Sequence, residues 1–138
     1  MAYFLAKSDP ETYGLQDFIK DKTTVWDGVH NHQAIANIKT MKVGDRVFIY
    51  HSMTDKAIVG LAEVIGEPFH NTKDKRFSWA VELKIVGTCN PVTLAEIKAA
   101  KELKDFLLVR HSRLSVMPVP DDVARWILNR AEPLQPTV

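Results

Sequence analysis

The sequence predicts an α+β fold: a mostly antiparallel curved sheet, or partly closed barrel, flanked by short helices. Three observations predict it. The run WAVELKIV, residues 79 to 86, alternates, with Trp79, Val81, Leu83 and Ile85 on one face and Glu82 and Lys84 on the other. The apolar runs RVFIYHS and AIVGLAEVIG are separated only by the polar turn MTDK, the layout of a β-hairpin. The helix-period segments are short and irregularly placed among the strands, which argues against a doubly wound sheet, and no glycine-rich phosphate loop occurs.

The elements follow in order. YFLA, 3 to 6, reads as a short strand entering the core. Pro10 and Gly14 punctuate the segment after it, and Ser8 with Glu11 has the spacing of a capping box. LQDFI, 15 to 19, places apolar residues at 15, 18 and 19 and fits a short amphipathic helix. Trp26 is read as a loop residue after that helix. Residues 31 to 40 are expected to be helical, with Ala34, Ile35 and Ile38 on one side, and Gly44 and Asp45 end the pattern. The hairpin follows, and Gly60 within its second strand marks a bulge or a close backbone approach. FHNTKDKRF, 69 to 77, is a polar loop. Thr93 with Glu96 opens a helix in VTLAEIKAAKEL. FLLV and RHSRLSVMPV carry β-type residues up to Pro118 and Pro120, and DDVARWILNR is a closing helix with Val123, Trp126 and Ile127 on one stripe. The sum is five or six strands, in one domain over residues 1 to 130, with 131 to 138 as a loose tail.

Composition narrows the function. With 46% apolar and 25% charged residues the chain has the balance of an ordinary soluble globular domain. No apolar stretch is long enough to span a bilayer, and MAYFLAKSDP lacks the layout of a signal peptide, so a cytoplasmic location, nuclear in a eukaryote, is expected. Cys89 is the only cysteine, so no internal disulfide is possible and a cysteine-based zinc site is not expected. The net charge of +1 argues against coating long duplexes by phosphate neutralisation alone, yet leaves room for a pocket that reads one base with a few local cations. Lys73, Lys75 and Arg76 form one such cluster. Lys98, Lys101 and Lys104 read as a solvated stripe.

The stretch WDGVHNHQA, residues 26 to 34, concentrates the chemistry. His30 and His32 are two apart at a helix start, where such positions diverge, and no HExxH pattern or carboxylate cluster supports a metal. Ser52 follows His51 and Ser112 follows His111, but neighbours in sequence are not a catalytic triad, and no GxSxG elbow is present. A pocket for a planar ligand fits better: Trp26 offers a stacking face, and Asn31 offers a donor and an acceptor for a base edge. Each residue has a plainer role beside that one. Trp26 can plug the core, while Asn31 and Ser8 can cap helices.

In this order, AKSDP, WDGVHNHQA, MKVGDRVFIYHS, IVGLAEV and RLSVMPV resemble the EVE domain of the PUA-like superfamily, from Tyr3 to Leu128. The family is similar to the YTH readers of methylated adenine. The resemblance implies a PUA-like sheet or pseudo-barrel decorated with helices, and a non-catalytic module that reads a modified base in DNA or RNA, methylated or hydroxymethylated cytosine being candidates. It implies no cofactor and no metal. The residues it points to are Lys7 and Ser8 in the Lys-Ser element, Trp26 and Val29 in the Trp-Asp-Gly-Val element, and Asn31 near the base edge. It adds His51 and Ser52 at the end of the hairpin strand, Trp79 opening the later strand, and Arg113 and Ser115 in the Arg-Leu-Ser element. Departures occur at Asp9, where glutamate is usual, at His30 and His32, where arginine and tyrosine are common, and in a short loop from Glu67 to Ser78. The expected partners are DNA or RNA carrying a modified base, and a separately encoded effector protein is a possible further one. Two other readings stay open: a small hydrolase or other enzyme acting on nucleotides or modified nucleosides, and an RNA-binding accessory module acting by shape.

Overall fold

The computed structural model describes residues 2–53, 55–132 and 134–136. Strand β1 (Tyr3–Ser8) leads into two short helices, α1 (Pro10–Tyr13) and α2 (Leu15–Asp21). Strand β2 (Thr23–Trp26) and helix α3 (His32–Lys39) precede the hairpin of β3 (Arg46–His51) and β4 (Ala57–Val64). The short β5 (Phe69–His70) and the long β6 (Trp79–Thr93) follow. After them come α4 (Leu94–Ala99), a 3-10 turn (Lys101–Leu103), α5 (Leu107–Arg110), β7 (Val116–Val119), α6 (Asp121–Ala131) and β8 (Gln135–Pro136).

The sheet runs in the order β2-β6-β4-β3-β1-β7, with β5 and β8 also paired to β6. Every pairing is antiparallel except β1 with β3. A parallel pair needs a long crossover, and the chain between β1 and β3 supplies it as α1, α2, β2 and α3. Among the described residues no ladder joins β2 to β7, so the sheet is open there. Helix α3 packs against both β7 and β6, and the Asn37 side-chain amide donates to the Val116 carbonyl at 2.8 Å. Ala34, Ile35 and Ile38 are the buried face of α3, as their spacing predicts. Leu5, Phe48, Ile49, Ile58, Leu83 and Ile127 form the fully buried centre.

The predicted hairpin is present, and so is the irregularity at Gly60. The β3–β4 and β4–β6 ladders both shift register beside it. A Cβ there would stand 2.9 Å from Leu15 Cδ1 and 3.2 Å from the Gly87 carbonyl oxygen, so the backbone approach is close as well.

Several expectations are corrected. Thr23–Trp26 is a strand, so Trp26 is not a loop residue. The strand's burial alternates, but apolar Val25 takes an exposed position beside Trp26, so the polarity of TTVW does not alternate in sequence. The cap of α1 is Asp9, whose carboxylate accepts from the Glu11 amide at 3.0 Å, while the Ser8 hydroxyl donates to the Tyr13 carbonyl. β6 continues through GTCNP instead of ending before it. The pairs Gly60 with Thr88 and Ile58 with Val92 leave Cys89, Asn90 and Pro91 in a bulge, where a proline forfeits no ladder bond. Thr93 does cap α4, accepting from the Glu96 amide at 3.1 Å, but that helix ends at Ala99 and the chain continues as a 3-10 turn. Residues 107–110 of the β-type run form a helical turn; only Val116–Val119 is a strand. The segment after α6 is not wholly loose, because Gln135 and Pro136 pair with Thr88 and Gly87.

Candidate functional site

A cleft of about 510 Å³ opens where the end of β1, helix α1 and strand β2 meet. Lys7, Ser8 and Asp9 come from the end of β1 and its exit, and Thr12 and Tyr13 from α1. Thr24, Val25 and Trp26 come from β2, and Asp27 and Gly28 from the turn beyond it. Gly28 has φ 73°, a left-handed conformation that a residue with a Cβ adopts only under strain, so the Asp-Gly pair sets the turn at this rim.

Three aromatic rings cluster at the cleft. Trp26 meets Tyr13 edge to face, with centroids 6.5 Å apart and planes at 87°, and lies 6.3 Å from buried Phe18. Pairing of Trp26 with Val81 turns it to the side of β6 that carries the core. Trp26 is half-buried, so it both packs on the core and lines the cleft. The Tyr13 hydroxyl donates to the Asp21 carboxylate at 2.9 Å. Burial first, and then the nearby Asp21, raise the Tyr13 pKa, so the phenol stays protonated. The Lys7 ammonium donates to the Ser112 carbonyl at 2.8 Å and lies 6.0 Å from the Tyr50 ring centre; burial lowers its pKa. The cleft therefore offers aromatic surface, one cation, the carboxylates of Asp9 and Asp27, and several hydroxyls.

Of the residues singled out in the sequence, Lys7, Ser8 and Trp26 line this cleft. Ser52, Ser115 and His51 lie outside its lining and brace the elements that form it. The Ser52 amide and hydroxyl both donate to the Ser8 carbonyl, at 2.9 and 3.2 Å, and the Ser115 carbonyl accepts from the Lys7 amide at 2.8 Å. His51, 8% exposed, accepts from the Leu15 amide at Nε2 (3.0 Å) and pairs through Nδ1 with Asp55 (2.9 Å), fixing the start of α2. Asn31 takes the capping role: its side-chain oxygen accepts from the Ala34 amide at 3.0 Å. Val29 is buried in the core. Arg113 is exposed beside Ser112, whose carbonyl holds Lys7. Trp79 lies outside the lining, stacked on His70 at 6.2 Å and under the Lys39 ammonium at 4.8 Å.

Sequence reading missed Tyr13, Thr24, Asp27 and Gly28 as a lining set. The Asp-Gly pair was legible as a turn, but only the pairing of β2 with β6 brings Thr24 into place.

A second recess of about 530 Å³ lies across the same turn. It shares Val25, Asp27 and Gly28 with the first, and its far wall is the 69–74 segment. His30 closes that segment down: its Nε2 is 2.7 Å from the Asp74 carboxylate. Asp74 also accepts from the Arg76 amide at 3.0 Å and the Ser78 hydroxyl at 2.9 Å. These bonds, the Arg76 amide foremost, hold its pKa down at about 2. Among the described residues no group of three or more His, Cys, Asp or Glu is placed to hold a metal, and no helix is long and apolar enough to cross a membrane.

The EVE domain family profile matches residues 2–130. The chain belongs to the EVE domain family. This EVE domain is 27% identical to human thymocyte nuclear protein 1, over 95% of this chain and 74% of that protein. Its fold superposes on an NMR structure of a Rhodopseudomonas palustris protein with a TM-score of 0.87 at 36% identity, covering 95% of this chain and 93% of that one. It also superposes on human thymocyte nuclear protein 1 in complex with DNA containing 5-methylcytosine, with a TM-score of 0.83 at 26% identity, covering 96% and 98%.

Proposed function

We propose that this EVE domain is a non-catalytic reader of a modified base in DNA, with methylated or hydroxymethylated cytosine as the ligand and the Trp26 cleft as the binding site. The observation that carries the reading is the pairing of Trp26 and Tyr13 edge to face at the mouth of a cleft that also holds Lys7. It is supported by the human relative of the same fold, which is bound to DNA carrying 5-methylcytosine. Stacking on an aromatic ring contributes about 1–3 kcal/mol per base, and the hydroxyls of Ser8, Thr12 and Thr24 supply the polar partners a base edge needs. In a duplex the base must flip out, at a cost of about a few kcal/mol, so unpaired or weakened sites are bound better.

The hydrolase reading has less to support it. A general base needs a lone pair turned toward substrate, and both His51 ring nitrogens are engaged within the protein. RNA with a modified base in a loop is a second substrate of the same chemistry. The reading places the protein in the cytoplasm, or in the nucleus of a eukaryotic cell as the human relative's name has it, beside a separately encoded effector.

Titration with short single- and double-stranded oligonucleotides, each with one modified cytosine or adenine and matched to unmodified controls, tests this. Tighter binding to a modified cytosine in DNA is expected. Trp26→Ala removes that preference, and Trp26→Phe, which keeps the packing on Phe18, retains part of it. Equal binding across the panel by the folded wild type would overturn the proposal.

A further inference from the structure

A row of aromatic rings lies outside the lining of the first cleft. His32, at the start of α3, is stacked 6.5 Å from Phe77; Phe77 is 5.3 Å from His70; His70 is stacked 6.2 Å from Trp79. Core packing does not account for the row, since Phe77 is 55% exposed and both His32 and His70 are exposed. One cation rests on it and three more share the loop that carries Phe77. Lys39 sits over Trp79 at 4.8 Å, and Lys73, Lys75 and Arg76 are exposed in the loop that carries Phe77. The acid within that loop, Asp74, is met by His30, Ser78 and the Arg76 amide. The other acid of the recess is Asp27, on the shared turn.

We propose that this row is a second base-stacking subsite, taking the nucleotides that flank the read base on the same DNA strand. The inference rests on the reading of the Trp26 cleft given above. Three observations select a nucleic-acid strand as the occupant. The recess walled by His70 shares the Asp27–Gly28 turn with the first cleft, so a strand leaving one crosses directly into the other. Exposed aromatic faces stack on any base, whatever its identity. The adjacent lysines and arginine match a phosphate backbone, although the whole chain has a net charge of only +1. The first cleft then selects the modification, and the row adds affinity without sequence preference.

The test compares three probes: 5-methyl-2′-deoxycytidine monophosphate, a single-stranded DNA nonamer with one central 5-methylcytosine, and the same nonamer unmodified. Phe77→Ala is expected to weaken both nonamers roughly tenfold and to leave the mononucleotide unchanged. Phe77→Leu, which keeps apolar bulk but no ring, should behave like the alanine variant, and Phe77→Trp should restore binding. Wild-type affinity for the nonamers in Phe77→Ala or Phe77→Leu would overturn the subsite. If wild type binds the two nonamers equally but Phe77→Ala still weakens both, the subsite stands and the modified-base reading falls. Absence of nonamer binding by wild type overturns both.

Discussion

At the scale of single residues, the motif positions divide into those that face the cleft and those that hold it in shape. His51 is the clearest of the second kind. Its ring is buried, and its Nε2 is the acceptor for the Leu15 amide at the start of α2. That helix carries Phe18, on which Trp26 rests. His51→Ala leaves a buried N–H without a partner and a void beside it. The expected loss is about 2–4 kcal/mol of stability, measured by urea denaturation. The folded fraction should still prefer the modified base, because His51 is not in the lining. An unchanged urea midpoint would show that the Leu15 amide finds another acceptor. Lys7 and Trp26 are of the first kind, and Lys7 joins both roles, since the same ammonium that faces the cleft fastens the Ser112 carbonyl.

At the scale of elements, the 69–78 segment is fastened to the WDGVHNHQA turn by Asp74. Its carboxyl is held at about 2, below its ordinary 3.8. A folded pKa below the unfolded one means that the ionised form is favoured by folding. Asp74 therefore stabilises the closed segment fully above about pH 4, and the contribution is lost as pH falls toward 2. The Arg76 amide, which donates to Asp74, reports the event: its NMR shift is expected to titrate with a midpoint near 2. A midpoint near 3.8 would mean that the bonds from the Arg76 amide, His30 and Ser78 to Asp74 are not made. This fastening could not be read from the sequence, because it joins residues 44 positions apart. Legibility followed locality throughout. The hairpin, the bulge at Gly60, α3 and α6 were readable because their patterns are contiguous. β2 was missed because TTVW takes its strand form from pairing with β6, and FLLV was misread because Leu107–Arg110 turns helically to bury Leu108. The capping reading of Asn31 was available from its position before a helix, and the structure adopts it.

At the scale of the whole molecule, the proposed base selection and strand attachment fall on two sides of one turn. The open edge of the sheet leaves β2 at its end, and the clefts on either side of Asp27–Gly28 lie against that edge strand. A net charge of +1 spreads no strong field over the surface, so the proposed strand binding rests on the few cations of the clefts and of the 69–78 segment: Lys7, Lys73, Lys75 and Arg76. If each neutralises one phosphate of a single strand, the logarithm of the association constant falls against the logarithm of salt with a slope of about −3. Fluorescence anisotropy on the modified nonamer from low to high salt measures that slope directly. Lys73→Ala should make it shallower by about 0.7 for modified and unmodified strands alike, because a phosphate contact carries no base information. Trp26→Ala should leave the slope unchanged while removing the gap between the two strands. A slope several times steeper, insensitive to Trp26, would place the affinity in a broad electrostatic surface and favour recognition by shape over reading of a base.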